Sequence, residues 1–403
     1  MSRRCDSTAG GLCTTREVFR TSLKLGLTSF GGPIAHLGYF ERTYVRERRW
    51  LGSDEYASLV ALCHLLPGPT SSQVGFLIGL HRAGWKGALA AWAGFTLPSA
   101  LLMYGFAVLA PTGTGRLMQT LTHGLMLTAV VVVAQAVWNM ARTLCPDGQR
   151  AGIALLSAAI LIWHSSGATQ LLTMGLGAAG GWLLCRNVVP LQPGAVEWVE
   201  PRAARLALVS YGLILITLPG LALLAPHSPL ALAAAFYRAG ALVFGGGHVV
   251  LPLLRQELVP NGWISDEQFL AAYGFAQGMP GPLFTVAAYL GAASAPLHLA
   301  VIWAALSLSM IFLPGLLVAT GGVSLWTALG RLKGAPAMLA GINASVVGIL
   351  AAALYDPVAL TGVRNALDAA VAVVGLVLLL RWRVHVLAIA ALCIVTSLAE
   401  ATI

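Results

Sequence analysis

Apolar windows long enough to cross a membrane recur along the chain and limit what it can fold into. Only 10% of the residues are charged and 58% are hydrophobic, whereas soluble domains carry about 25% charged residues. A helix of about 20 apolar residues spans a hydrocarbon core of roughly 30 Å. The windows lack the short alternating pattern of about ten residues that is typical of outer-membrane strands. The sequence therefore predicts an all-α, polytopic transmembrane helical bundle, embedded in the lipid bilayer.

The formal net charge of +9 comes mostly from arginines in the N-terminal tail and between the apolar windows. Because these arginines form no single basic stripe, the sequence does not favour nucleic-acid binding. They fit the positive-inside bias that orients membrane helices. Arg16 and Arg20 precede the first deep apolar stretch, and residues 1–16 lack the layout of a cleaved signal peptide. We expect these residues to remain as a cytoplasmic N-terminal tail.

No sequence motif indicates a cofactor, a metal site or catalysis. The six cysteines are scattered and form no CxxC pair, so neither a metal site nor a disulfide framework is predicted. Gly175, Gly177 and Gly180 form a GxGxxG string, but no strand precedes it, so helix packing explains it better than a dinucleotide site. The usual hydrolase signatures are missing from the sequence. We expect neither a bound cofactor nor an enzyme.

The two halves of the chain carry the same motifs in the same order, which indicates an internal duplication. The matched motifs are Phe30-Gly31-Gly32-Pro33 with Phe244-Gly245-Gly246-Gly247, Ser53-Asp54-Glu55 with Ser265-Asp266-Glu267, Leu66-Pro67-Gly68-Pro69 with Met279-Pro280-Gly281-Pro282, and Leu97-Pro98 with Leu313-Pro314. A polar segment separates the halves. The predicted organisation is a tail at 1–16, a first repeat at 17–187, a polar connector at 188–205 and a second repeat at 206–403. The windows suggest about 12 spans, including broken or re-entrant ones.

Matched loops of the two repeats differ in charge. The loop after the first Phe-Gly-Gly holds Arg42, Arg46, Arg48 and Arg49. Its counterpart holds only Arg255 beside Glu257. If arginine-rich loops stay in the cytoplasm, the two loops lie on opposite sides of the membrane. The sequence therefore predicts inverted-topology repeats.

Each Pro-Gly-Pro motif predicts a break in a helix at membrane depth, because proline removes a backbone donor and clashes with the preceding turn. Broken helices persist in a membrane where protein or a wet cavity satisfies the freed groups, and paired breaks in two repeats indicate a transporter's binding site. A helix that restarts after such a break points its N–H groups and positive dipole end at an anion. The predicted anion-binding residues here are Pro67, Gly68, Pro69, Thr70, Ser71, Ser72, Gln73, Gln277, Pro280, Gly281, Pro282 and Thr285. Plain kinks that aid helix packing remain the alternative.

The Phe-Gly-Gly segments and nearby cations extend the predicted anion site. Gly31, Gly32, Gly245 and Gly246 allow either a backbone cradle for the anion or tight helix packing. Lys24 and Arg238 each lie six residues before their Phe-Gly-Gly and are candidates to neutralise a dianion, with snorkelling to the headgroups as the alternative. His36 and His248 are candidate donors to an oxyanion or proton carriers, or else hydrogen bonds between helices.

A second set of residues is predicted to couple or gate transport. His64 stands three residues before Pro67, and the acid pairs are Asp54 with Glu55 and Asp266 with Glu267. Acids at the start of a helix also favour its dipole, so capping is the alternative for the two pairs.

The motifs in tandem resemble those of the long-chain, two-repeat chromate ion transporter family. They run from Phe-Gly-Gly-Pro-Ile-Ala-His-Leu at residue 30 to Gln-Gly-Met-Pro-Gly-Pro-Leu-Phe-Thr at residue 277. The resemblance runs from about residue 18 to 398. It implies a multi-pass protein of the prokaryotic inner membrane that exports chromate at the expense of an ion gradient, with H⁺ as the expected coupling ion, and so gives chromate resistance. It carries function onto residues 30–36, 67–73, 244–248 and 277–285; His64 departs from the amide expected there.

The residues by themselves do not separate chromate from sulfate or another similar dianion. A sulfate or other oxyanion permease on the same scaffold is the nearest alternative, and an exporter of small organic solutes is a second. A homodimer is left open as the assembly.

Overall fold

The computed structural model describes residues 10–109, 116–185, 198–244, 247–331, 334–382 and 384–402. These residues are almost entirely helical and contain no β-strand, which confirms the predicted all-α class. The first half comprises α1 (Gly10–Thr28), α2 (Gly32–Phe40), a π-helical turn (Glu41–Glu47), α3 (Ser53–Leu65), α4 (Thr70–Leu109), α5 (Arg116–Leu144), α6 (Gly148–Trp163) and α7 (Gly167–Leu184). Helix α8 (Pro201–Ala222) follows.

The second half repeats this order with shorter pieces. It comprises α9 (Pro229–Ala241), a 3₁₀ turn (Gly247–Val249), α10 (Val250–Leu258), α11 (Asp266–Gln277), a 3₁₀ turn (Leu283–Thr285), α12 (Val286–Ala293), a 3₁₀ turn (Leu297–Leu299), α13 (Ala300–Arg331), α14 (Ala335–Ala353), a π-helical segment (Leu354–Ala359), α15 (Leu360–Gly362), α16 (Ala366–Arg381) and α17 (Val386–Thr402). Helices α3 and α11 each lead into one of the Pro-Gly-Pro motifs.

Helix starts follow the capping residues in the sequence. Ser265 accepts the N–H of Gln268 at 3.2 Å to cap α11, and the Gln268 side chain returns to the N–H of Ser265. At the matched start of α3, the Glu55 carboxylate accepts the N–H of Gly52 at 2.9 Å. These bonds satisfy N–H groups that a helix end leaves free. The first acid pair therefore contributes a cap through Glu55.

Helix α4 is two helices joined by a sharp bend. Ala83 and Gly84 leave helical geometry, and Gly84 has φ +62°, a left-handed value that glycine adopts without a Cβ clash. The arms Thr70–Arg82 and 85–109 form a hairpin in which Gly79 faces Gly87. In the second half α12 and α13 form the matching hairpin, and a Cβ on Gly291 would lie 2.6 Å from the carbonyl oxygen of Trp303.

The two halves interdigitate rather than standing side by side. Helix α5 of the first half packs against α11, α16 and α17 of the second. Helix α14 of the second half packs against α6 and α7 of the first. Small residues make both contacts close: Gly124 lies against the backbone of Ile394, and Gly177 and Gly181 lie against Gly341. Two of the glycines around the GxGxxG string therefore serve helix packing.

Large apolar side chains cover the outside of the molecule. Trp163 is 92% exposed, and Ile216, Leu223 and Leu224 on or after α8 are each more than three-quarters exposed. Five helices in the described part are long and apolar enough to cross a membrane, namely Thr70–Leu109, Gln119–Leu144, Pro201–Ala222, Leu297–Ser324 and Ala335–Gly362, and three shorter apolar helices accompany them. A surface of this kind requires lipid rather than water, so the chain is a multi-pass membrane protein. The number of spans stays a prediction.

Candidate functional site: two reciprocal helix breaks

The first break, at Pro67-Gly68-Pro69, lies between α3 and α4 and is buried. Gly68 has φ +119°, a conformation that side-chain-bearing residues rarely adopt. Its backbone N–H donates to the carbonyl oxygen of Val243 at 2.7 Å. Val243 directly precedes Phe244, so the first break is held by the residue just before the Phe-Gly-Gly motif of the second repeat.

The second break, at Pro280-Gly281-Pro282, repeats this arrangement from the other side. Gly281 has φ +92°, and its backbone N–H donates to the carbonyl oxygen of Ser29 at 2.9 Å. Ser29 directly precedes Phe30 in the first repeat. Each break is therefore pinned by the other repeat at the equivalent position.

A reciprocal exchange of the same contact is the property of an interface with two-fold symmetry. The duplicated motifs found in the sequence are thus matched by duplicated contacts in space. The helix breaks leave backbone groups without a partner inside their own helix. The glycine N–H of each break is instead hydrogen-bonded across the interface between the repeats.

At each break the backbone also meets the segment that follows a later proline of the other repeat. We call the meeting point at Gly68 the first crossing and the one at Gly281 the second crossing. A Cβ on Gly68 would lie 2.7 Å from the Cα of Gly315, which follows Pro314 of the second repeat. A Cβ on Gly281 would lie 2.9 Å from the Oγ of Ser99, which follows Pro98 of the first repeat. Both glycines are required because two backbones meet there. The Pro-Gly-Pro motifs, the residues directly before each Phe-Gly-Gly and the residues directly after Pro98 and Pro314 therefore meet at two equivalent points.

Gln73 fixes the first crossing. Its Nε2 donates to the carbonyl oxygen of Pro67 at 2.8 Å and to that of Gly315 at 2.9 Å, and the residue is fully buried. One side chain thus joins the break of the first repeat to α13 of the second.

Buried hydroxyl groups surround the first crossing. Thr70, Ser71 and Ser72 form the first turn of α4 and are all buried. The Ser71 Oγ lies 3.4 Å from Nδ1 of His36, which is itself buried. Among the described residues, Ser72 Oγ and Gln73 Oε1 at this crossing are buried without a hydrogen-bond partner, and so are Ser29 Oγ and Thr96 Oγ1 beside the second crossing.

Unpaired buried polar groups are rare and need an explanation such as an absent ligand or water. A hydroxyl group rotates freely and can donate to an anion, and the N-terminal turn of α4 adds the positive end of the helix dipole. This half of the site has the chemistry to bind an oxyanion with neutral donors.

Other polar side chains at the second crossing are paired with each other or with the backbone. The hydroxyl of Thr285 donates to the carbonyl oxygen of Pro282 at 2.8 Å. His248 Nδ1 lies 2.8 Å from the Tyr273 hydroxyl and 3.4 Å from Nε2 of Gln277. The two halves of the site therefore share their backbone geometry but differ in their side-chain hydrogen bonding.

The two predicted cations are placed differently. Arg238 forms an ion pair with Glu257, with Nη2 and Oε2 2.5 Å apart, at a cavity of about 380 Å³ that also contains Asn261 and Trp263. The Nε of Arg238 is buried without a partner in the described residues. Lys24 lies exposed on α1. An anion-binding role for either residue stays a prediction.

The remaining predicted residues lie away from the crossings or outside the described part. His64 is exposed and its Nδ1 contacts the carbonyl oxygen of Val60 at 2.9 Å. Asp54 and Glu267 are exposed, whereas Asp266 accepts both Nε and Nη2 of Arg255 at 2.6 and 3.0 Å. Gly31 is exposed and Gly32 half-buried, and Gly245 and Gly246 lie outside the described residues. Coupling and gating roles for these side chains remain predictions.

Sequence reasoning missed Ser29, Val243, Thr96 and Gly315. The signal for the first two was their position directly before each Phe-Gly-Gly, and Gly315 directly follows a repeated proline. Their importance depends on contacts between the two repeats, which the order of motifs in one chain does not show.

The chain was compared with known proteins. The sequence profile described as Chromate transporter matches residues 16–182 and 230–398, one match in each half, and leaves α8 outside both. A chromate transport protein of Pseudomonas aeruginosa is 26% identical over 86% of this chain and 82% of its own length. One from Cupriavidus metallidurans is 26% identical over 87% of this chain and 85% of its own length.

A probable chromate transport protein of Synechococcus elongatus is 30% identical over 68% of each chain. No solved structure matches the chain. With a profile match in both halves and relatives aligned over most of its length, the chain belongs to the chromate transporter family.

Proposed function

We propose that this protein exports chromate from the cytoplasm across the prokaryotic inner membrane, as a secondary active transporter driven by H⁺, and thereby gives chromate resistance. Three relatives that align with most of this chain are named as chromate transport proteins or as a probable one. Membership of the family supports chromate as the substrate. The direction of transport and the coupling ion are proposed here in addition.

The observation that carries the proposal is the reciprocal pinning of the two breaks, Gly68 to Val243 and Gly281 to Ser29. It creates two equivalent broken helices at the interface of two repeats, the arrangement expected around the substrate site of a transporter. Binding between repeats lets one site face either side of the membrane as the repeats rock against each other.

Unpaired buried hydroxyls at the two crossings support an oxyanion as the cargo. Ser29, Ser72 and Thr96 each hold a buried oxygen with no partner in the described part of the chain. Such groups are costly in a membrane interior unless a ligand or water satisfies them. A tetrahedral dianion with four acceptor oxygens meets that need, and the N-terminal turn of α4 favours its negative charge.

Sulfate is the second candidate, because hydroxyl and backbone donors recognise oxygens and charge rather than the central atom. The test is flux of radiolabelled chromate in proteoliposomes under an imposed proton gradient, with excess sulfate as the competitor. A Pro67→Ala, Pro280→Ala double variant is the control for the breaks.

Chromate movement that follows the gradient and is reduced at least tenfold by the double variant is the expected result. Robust sulfate flux without chromate flux would overturn the chromate assignment and favour an oxyanion permease. Flux in the double variant equal to that of the wild type would show that transport does not depend on the helix breaks.

A further inference from the structure

A buried titratable cluster lies where α5 of the first repeat meets α16 and α17 of the second, apart from both crossings described above. It consists of His123 on α5, Asp368 on α16, and Ser397 and Glu400 on α17. His123 is 5% exposed and Asp368 is 1% exposed. Buried ionisable side chains are rare unless they are paired, and in clusters they are candidates for function.

Two acceptor groups face each other in this cluster. The Nε2 atom of His123 lies 3.2 Å from Oδ2 of Asp368. That nitrogen is buried and makes no hydrogen bond with correct geometry among the described residues, so the contact has the distance of an ion pair without the alignment of a hydrogen bond. An imidazole lone pair and a carboxylate at this separation repel each other unless a proton lies on one of them.

The other side of the imidazole can adapt to a second proton. Nδ1 of His123 lies 3.3 Å from the Oγ of Ser397. A serine hydroxyl donates to a neutral ring nitrogen and accepts from a protonated one by rotating. The Ser397 hydroxyl can therefore remain a partner of Nδ1 whether that nitrogen accepts or donates.

The Asp368 side chain is fixed in place by hydrogen bonds at the start of α16. Its Oδ2 accepts the N–H of Arg364 at 2.9 Å, and its own N–H donates to the side chain of Asn365, which caps α16. These two bonds hold the carboxylate in position beside His123.

Glu400 connects the buried pair with the protein surface. One oxygen or ring nitrogen of each of His123, Asp368 and Glu400 lies within 4.8 Å of the others. Glu400 is only half-buried, and its Oε1 accepts from Nδ2 of Asn365, an exposed residue. The cluster lies near the ends of its three helices, so Glu400 provides a route for protons from one aqueous face.

Several other ionisable groups lie on the elements packed against α5. Those on the described residues of these elements are Asp266, Glu267 and Tyr273 on α11, Tyr355 and Asp356 in the π-helical segment, Asp368 and Arg381 on α16, and Cys393 and Glu400 on α17. Arg364 directly precedes α16, and α5 itself carries Arg116 and Arg142. Helix α14, which also packs against α5, carries none. Asp368 is the carboxylate at ion-pair distance from His123.

The helix that carries His123 is wedged against the helix that leads to the second break. The residue after His123, Gly124, lies against Ile394 of α17, where a Cβ would be 2.7 Å from the Ile394 Cα. The next residue, Leu125, places its carbonyl oxygen against Gly274 of α11. Helix α11 ends at Gln277, directly before the Pro-Gly-Pro motif. At Gly124 and Gly274 the backbone of α5 is thus in direct contact with α17 and α11.

We propose that His123 and Asp368 form a proton-binding pair that couples proton movement to the rearrangement of the second break. The inference rests on the proposed function for its transport step, because coupling requires a transported anion. The step moves one proton onto the imidazole from water by way of Glu400 and returns it to water, with no bond to the cargo. Protonation of His123 changes the charge of α5 at the point where this helix of the first repeat packs against α16 and α17 of the second.

The first test needs no substrate. Thermal unfolding of the full-length protein in detergent is followed from pH 5 to 8 in buffers with EDTA, for the wild type, His123→Gln, Asp368→Asn and the exposed control His298→Gln. The wild type and His298→Gln are expected to show the same pH-dependent midpoint, and the other two a flatter curve, by ~2 °C or more. Curves of equal slope in all four proteins would overturn the proton-binding pair, whether or not chromate is the substrate.

The second test measures coupling in proteoliposomes. Chromate accumulation under an imposed proton gradient is compared with chromate–chromate exchange, which needs no net proton movement. Asp368→Asn, the near-isosteric variant, is expected to keep exchange within about twofold of the wild type while accumulation falls at least tenfold (1.4 kcal/mol).

Gradient-driven accumulation that survives in both His123→Gln and Asp368→Asn would overturn the inference. Wild-type accumulation that is independent of the proton gradient would also overturn it, while leaving chromate as the cargo. A wild type that moves no chromate would overturn the proposed function instead, and the unfolding curves would then decide the pair by themselves.

Discussion

The backbone N–H of Gly68 donates to the carbonyl oxygen of Val243 at 2.7 Å, across the interface between the two repeats. The equivalent bond of the other half joins Gly281 to Ser29 at 2.9 Å. Each repeat therefore supplies the partner that its twin needs at a helix break. The breaks are formed jointly, and neither repeat completes its own.

Replacing Gln73 with leucine is expected to destabilise the protein by about 2 kcal/mol or more. The substitution removes the Nε2 donor from the carbonyl oxygens of Pro67 and Gly315 in a fully buried position. Thermal unfolding in detergent measures the effect. Gln149→Leu, at an exposed position, is the matched control and should unfold within a degree or so of the wild type. Equal midpoints for the two variants would show that Gln73 does not hold the crossing together.

Replacing Ser72 with alanine is expected to weaken chromate binding about tenfold while leaving thermal stability unchanged. The Ser72 hydroxyl is buried and has no hydrogen-bond partner in the described part of the chain, so its loss is expected to cost the empty protein no stability. Ser345→Ala gives the opposite pattern, because that hydroxyl donates to the carbonyl oxygen of Thr173 at 3.1 Å. The control should lose about 1 kcal/mol of stability and keep its chromate affinity. A Ser72→Ala protein with wild-type affinity would remove this hydroxyl from the site.

Arg238 and Glu257 are expected to be energetically coupled. Glu257→Gln and Arg238→Gln should each cost about 1–2 kcal/mol, and the double variant should cost less than their sum, because the ion pair is partly buried. The exposed pair Arg42 and Glu47 is the control, with an expected coupling near zero.

Chromate binding by the same variants distinguishes a structural ion pair from a role of Arg238 in binding the anion. A tenfold loss of affinity in Arg238→Gln that persists in the double variant would support Arg238 as a ligand. Additive stability effects would contradict the coupling.

Inverted repeats predict that matched loops face opposite sides of the membrane. In a cysteine-free background, Arg46→Cys should react with a membrane-impermeant maleimide only after the cells are opened, and Val259→Cys in intact cells. The arginines around residue 46 favour the cytoplasm. Detergent-solubilised protein serves as the control for intrinsic reactivity. Equal labelling of both positions in intact cells would contradict inversion.

The sequence was sufficient for the helix breaks because their causes are local. Proline interrupts a helix wherever it stands, and glycine is needed wherever the backbone takes a positive φ, as at Gly68 and Gly281. The duplication and the all-α class follow from motif order and apolar length, which are also properties of the chain alone.

The sequence was insufficient where residues meet through tertiary packing. Gly26 and Gly240 each lie four residues before a Phe-Gly-Gly, yet only the structure shows why: Gly26 abuts the carbonyl oxygen of Phe95, and Gly240 that of Ile311. The ion pair between Arg238 and Glu257 depends on how α9 and α10 pack. The contact of His123 with Asp368 depends on the interdigitation of α5 with α16.

The central claim is that one anion site is built jointly by both breaks, and equilibrium binding of radiolabelled chromate to the purified protein tests it most directly. Gly68→Ala and Gly281→Ala are compared with Gly105→Ala, at a glycine whose Cβ position is open. The account predicts that both break variants lose affinity at least tenfold while Gly105→Ala binds as the wild type does. Wild-type affinity in either break variant, with the protein folded, would contradict a site shared by the two repeats.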